Sequence, residues 1–120
     1  MSGFSVARRL QSFRDARRGL VTTLTSQHNA WIHLAAAFIV VILGFVVGIS
    51  LEDWKSLVLT IALVWFAETI NTAFEYLCDV VSPEYNEAVK HAKDIAAGAV
   101  LICAAAAALM GAMIFVPYVT

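Results

Sequence analysis

Apolar positions fall into three long blocks along this chain, and polar ones gather at the ends and in one stripe. From Trp31 to Ile49 only His33 interrupts the apolar run. From Ser56 to Ala67 no charge occurs, and the helical pattern continues to about Val81 while taking in Glu68, Glu75 and Asp79. Ile95 to Val116 carries no charge at all. A helix that crosses a bilayer needs about 20 mostly apolar residues, so the pattern predicts spanning helices at 31–49, 56–81 and 95–116. Ahead of them, at about 100° per residue, Val6, Leu10, Phe13, Leu20 and Leu24 share one face, with Arg8, Arg14 and Arg18 on or near the opposite one. Residues 1–28 therefore read as an amphipathic helix lying in the headgroup plane. Basic residues scattered over this stretch, with no apolar core and small-residue cleavage site after them, do not read as a signal peptide. Between the second and third spans, Ser82-Pro83-Glu84 has the form of an N-cap followed by proline at the first helical position. A new helix is expected to begin there and to carry Lys90, Lys93 and Asp94 back to the membrane surface.

Composition sharpens this picture. Of 120 residues, 61% are hydrophobic and 14% charged, against about 45–50% and about 25% in soluble domains. The excess has to face lipid, and the expected fold is a single all-α integral membrane domain over 1–120. The net charge of −1 conceals an asymmetry. Arg8, Arg9, Arg14, Arg17, Arg18, Lys90 and Lys93 fall on one side of the three spans and only Lys55 on the other, which places the N-terminus and the second loop in the cytoplasm. Trp31, Trp54 and Tyr118 then stand near span ends as interface anchors. Cys78 and Cys103 form no CxxC and read as apolar filling. Gly44 and Gly48 form a GxxxG, a pattern that packs helices in membranes.

The chemistry lies in the second span and the loop after it. On a helix Glu75 and Asp79 fall about 20° to either side of Glu68 in projection, with Asn71 about 60° to one side. Acids inside a span cost about 2.5–3.5 kcal/mol at the bilayer centre on insertion scales, falling towards the interface, so they signal function. Asparagine alone would glue helices more cheaply. If the span starts near Ser56, Glu68 lies roughly 6–8 Å to the cytoplasmic side of the midplane and Glu75 about 10.5 Å further out. With Lys90, Lys93 and Asp94 returning to the same interface, acids and lysines meet there. Carboxylates hold magnesium and lysines hold phosphate. Two chemistries fit: phosphoryl transfer to a lipid, or proton-coupled transport in which Glu68 alternates between a proton and a cationic drug. His28 and His33 lie five apart and off one helical face, so they read as packing residues rather than metal ligands.

The run Glu68-x-x-Asn71-Thr72-Ala73-x-Glu75-x-x-x-Asp79, then Ser82-x-Glu84-Tyr85, then Ala92-Lys93-Asp94-Ile95-Ala96-Ala97-Gly98-Ala99-Val100 resembles the prokaryotic diacylglycerol kinase and undecaprenol kinase family. Three spans and an amphipathic N-terminal helix match along nearly the whole chain. The segment AKDIAAGAV is more similar to the undecaprenol kinase branch. The resemblance implies a small homotrimeric membrane kinase of the bacterial cytoplasmic membrane, with active sites shared between subunits, and no P-loop GxxxxGK[ST] occurs here. It implies Glu68 as catalytic base toward the lipid hydroxyl, with Asn71 positioning the reacting groups and Ala97 beside the lipid. It further implies Arg8, Glu75, Asp79, Glu84, Lys93 and Asp94 around ATP, with Mg²⁺ on Glu75. Two positions depart from the family pattern. Gln27 stands where a second metal-binding glutamate is common, and Asn86 where a histidine is common.

Overall fold

A computed structural model describes residues 3–120, and it contains four helices: α1 (Val6–Ser26), α2 (His28–Val47), α3 (Leu51–Val81) and α4 (Glu87–Val119). Each boundary has a local chemical cause. Ser5 Oγ accepts from the Arg8 N–H and starts α1, and in its last two turns the hydroxyls of Thr22, Thr23, Thr25 and Ser26 donate to backbone carbonyls one turn back. Gln27, with extended backbone (φ −127°, ψ 120°), separates α1 from α2 by a single residue. Gly48 ends α2 in the left-handed region at φ 75°, where a side chain is strained. Ser50 Oγ then accepts from the Asp53 N–H to start α3, with Glu52 and Asp53 in the favourable first turn.

The expected helix start at Ser82 is not present. Ser82 is already used as the C-cap of α3, its N–H donating to the Cys78 carbonyl, and its hydroxyl donates to the Glu84 carbonyl instead of capping a helix. Proline at 83 disfavours helical backbone at the residue before it, so the chain turns through 82–86. Asn86 supplies the cap, its Oδ1 accepting from the Val89 N–H at 3.1 Å. Lys90, Lys93 and Asp94 consequently ride on the opening turns of α4, continuous with the third apolar stretch.

The two longest helices, α3 and α4, pack as an antiparallel hairpin that dominates the tertiary contacts. Near the α2–α3 turn, Ile49, Leu57 and Ile114 form a small core, flanked by Trp54, Ile61, Met110 and Phe115. Tyr118 closes this end: its hydroxyl donates to Asp53 Oδ2 at 2.9 Å and accepts from the Ser50 N–H at 3.2 Å. Gly44 lies directly under the Trp54 ring, so close that a Cβ there would stand 2.7 Å from a ring carbon. The GxxxG pattern is thus used inside the chain, Gly44 as a seat for Trp54 and Gly48 as a helix stop.

Helices α2, α3 and α4 are each long and apolar enough to cross a membrane. Phe38, Phe45 and Val46 on α2, Leu59 and Phe66 on α3, and Leu101 and Ile102 on α4 all point outward, the inverse of a soluble protein. With 31 residues, α3 is about 46 Å long, well beyond a hydrocarbon core of about 30 Å. Gln27, just before α2, reaches Glu75 of α3. The last turns of α3 therefore extend past the end of α2, and they carry the exposed Asp79.

Candidate active site

Along one face of α3 the acids of the stripe meet different partners. Glu68 is 1% exposed, the largest fully buried side chain among the described residues. Withdrawing an ionised carboxylate from water costs several kcal/mol unless partners compensate, and here compensation is incomplete. The Oε2 atom of Glu68 has no hydrogen-bond partner, nor has Oδ1 of buried Asn71, one helical turn along. Across the α2–α3 contact, Nε2 of His33 stands 3.6 Å from Glu68 Oε2. Behind Glu68, the Thr72 hydroxyl donates to the Glu68 carbonyl oxygen at 2.9 Å and so does not compete for its carboxylate.

Glu68 and Asn71 line a cavity of about 240 Å³ together with Asn29, Ile32, His33, Ala97, Val100, Leu101 and Ala104. One wall is polar and the rest is aliphatic. A larger apolar cleft of about 320 Å³ runs between α2, α3 and α4 toward the other end of the molecule. The two spaces share His33 and Ala104, so the apolar cleft adjoins the cavity of the buried carboxylate.

Two helical turns beyond Glu68, the half-buried Glu75 accepts a hydrogen bond from the Gln27 side-chain amide. Turning that amide by half a rotation would present its oxygen beside the carboxylate, a pair that suits a hard cation. Among the described residues no group of three or more His, Cys, Asp or Glu side chains gathers at one point, so a divalent ion here would draw most of its ligands from phosphate oxygens and water. One turn further, Asp79 Oδ1 accepts from Lys93 Nζ at 2.7 Å, bridging the end of α3 to the start of α4. That bond holds the Lys93 ammonium above its ordinary pKa range. Asp94 faces away from it and pairs with Lys90 at 2.8 Å, which holds its carboxyl below the usual range. Both groups precede the charge-free stretch 95–116 and stand outside the apolar layer.

The expected site residues thus divide. Glu68, Asn71 and Ala97 share one cavity, Gln27 meets Glu75, and Asp79 meets Lys93. Arg8 and Glu84 are exposed, and no hydrogen bond or ion pair joins their side chains to this group, nor Asp94's. The sequence reading missed His33 and Asn29 as neighbours of Glu68. The available signal was that His33 is the one polar side chain in an otherwise apolar span.

Comparison with known proteins adds a second line of observation. A family model described as prokaryotic diacylglycerol kinase matches residues 14–115. An undecaprenol kinase of Bacillus subtilis is 37% identical over 107 residues, which cover 89% of this chain and 87% of that protein. A diacylglycerol kinase of Synechocystis is 37% identical over 109 residues, covering 90% of this chain and 62% of that longer protein.

Proposed function

This chain belongs to the prokaryotic diacylglycerol kinase family and is a lipid kinase, and from that premise we propose that it transfers the γ-phosphate of MgATP to the hydroxyl of a membrane lipid alcohol, with Glu68 as the base. The observation that carries this reading is the pair of buried, unpartnered acceptors, Glu68 Oε2 and Asn71 Oδ1, on two residues that line a cavity whose remaining walls are mostly aliphatic. Such atoms call for a donor arriving on an apolar body, and a lipid hydroxyl is that donor.

The hydroxyl gives its proton to Glu68 as its oxygen bonds to the γ-phosphorus. The bond from that phosphorus to the β–γ bridging oxygen breaks, and ADP departs. Asn71 holds the reacting oxygen in line. Phosphoryl transfer demands positioning and charge neutralisation more than covalent chemistry from the protein, and Lys93, held by Asp79 outside the apolar layer, supplies a cation for the phosphates. Gln27 and Glu75 would hold Mg²⁺, which when bound neutralises phosphate charge. Arg8, Glu84 and Asp94 come to the nucleotide from exposed positions when it binds. The ATP-using kinase reading displaces that of a proton-coupled transporter, for which Lys93 and Asp79 have no use.

For the acceptor we place undecaprenol ahead of diacylglycerol. The Ala92–Val100 segment supports this, as does the coverage of 87% of the undecaprenol kinase. A homotrimer in the bacterial cytoplasmic membrane, with α1 on the cytoplasmic surface, completes the reading. It is supported by the exposed apolar faces of α2 and α4 and by Val6, Leu10 and Phe13, which α1 leaves uncovered.

The test is transfer of radiolabel from γ-labelled MgATP, by the purified protein in mixed micelles, into undecaprenol and diacylglycerol offered separately. Label is expected in both or in undecaprenol alone, with the higher kcat/KM for undecaprenol. Higher kcat/KM for diacylglycerol would reverse the acceptor assignment, and no label in either would overturn both acceptors.

A further inference from the structure

We propose that His33 is a positioning residue that orients the Glu68 carboxylate toward the incoming lipid hydroxyl. This inference deepens the reading of Glu68 as base and rests on it. Three observations on two different helices lead to it. His33 Nε2 stands 3.6 Å from Glu68 Oε2, and that oxygen is buried without a hydrogen-bond partner. His33 lines both the polar cavity around Glu68 and the apolar cleft beside it.

A carboxylate on a flexible two-methylene stem has several rotamers, and proton abstraction needs one of its oxygens within about 2.6–3.2 Å of the hydroxyl. Inside the cavity, Asn71 makes no hydrogen bond to the Glu68 carboxylate, and its Oδ1 is itself an unpartnered acceptor. Thr72 serves only the Glu68 backbone. The imidazole approaches Oε2 from across the α2–α3 contact. With its Nε2 carrying hydrogen, it attracts that oxygen and sets the turn of the carboxylate beside the incoming hydroxyl. At 3.6 Å the contact is longer than a hydrogen bond, so the carboxylate is steered without being locked. His33 also sits where cleft and cavity meet, so the hydroxyl passes its ring on the way to Glu68.

The position-specific test replaces His33 by Phe, which fills the space without a donor, and by Gln, which keeps an N–H donor and changes the shape. Turnover on the preferred lipid, the KM for ATP and the melting temperature in detergent are measured for both. H33F is expected to lower kcat about 10²-fold, the effect of displacing a reacting group by about 1 Å, with the ATP KM unchanged. H33Q should recover most of the lost turnover. If H33F does not fold, H33A takes its place in the same comparison. Full activity in H33F, equal losses in both variants, or a loss expressed in the ATP KM would each overturn the proposal. E68Q in the same assay separates the two levels: a fully active E68Q would refute the base assignment beneath this inference, whereas an inactive E68Q beside a fully active H33F would refute His33 alone.

Discussion

In the proposed metal site, Gln27 is the side chain that stands beside Glu75. Its neutral amide now satisfies the carboxylate through a hydrogen bond, an arrangement that is stable without any ion. Gln27→Glu would place two carboxylates against each other, repelling in the absence of metal and attracting a divalent cation strongly. We expect the half-saturating magnesium concentration for activity to fall about tenfold, equivalent to about 1.4 kcal/mol. The melting temperature without magnesium should drop as well. A magnesium titration of initial rates checks this, and an unchanged or higher requirement would show that residue 27 does not face the ion. The alignment of Glu68, Glu75 and Asp79 was legible in the sequence because spacings of seven and four residues return to one helical face whatever the helix packs against. The approach of His33 to Glu68 was not, because it depends on which face of α2 meets α3, and a nearly uniform apolar helix does not reveal that face.

Helix ends show the same division between local and tertiary causes. Ser50 and Asn86 cap their helices by reaching three residues ahead, but Ser82, with equal capping chemistry, is consumed by the end of α3. Two candidate caps four residues apart cannot be ranked without knowing where the preceding helix stops. The paired glycines of α2 give the clearest test at this scale. Gly44→Ala would drive a methyl into the Trp54 ring, and overpacking of this kind costs about 1–3 kcal/mol. Gly48→Ala would force a side chain into the left-handed region, at about 1–2 kcal/mol. Thermal melting in detergent should fall for both. Turnover per folded protein should hold, since both lie at the end of the molecule opposite the site. A Gly44→Ala protein as stable as wild type would show that the ring moves aside freely.

Taken whole, the molecule is open and flat, 52 × 43 × 23 Å, with most of its large apolar side chains directed outward. That shape is unfavourable in water and suited to lipid, where packing between helices, and not hydrophobic burial, holds a fold together. Composition and three uncharged stretches made the membrane character legible from sequence alone. How α2 stands off from the α3–α4 hairpin to leave the cleft was not legible, because residues facing lipid and residues facing a cleft are equally apolar. Under the proposed function the consequence is spatial: Glu68 is buried within the apolar layer, Glu75 is half-buried, and Asp79 with its partner Lys93 lies farther toward water. The division of labour between Glu68 and Glu75 is the central claim, and steady-state kinetics of E68Q and E75Q over a magnesium titration test it most directly. E68Q should lose about 10²–10⁴-fold in turnover, the range of a general base, at an unchanged KM for ATP. E75Q should approach wild-type turnover only at much higher magnesium. Retained turnover in E68Q, or equal loss of nucleotide binding in both variants, would contradict the account.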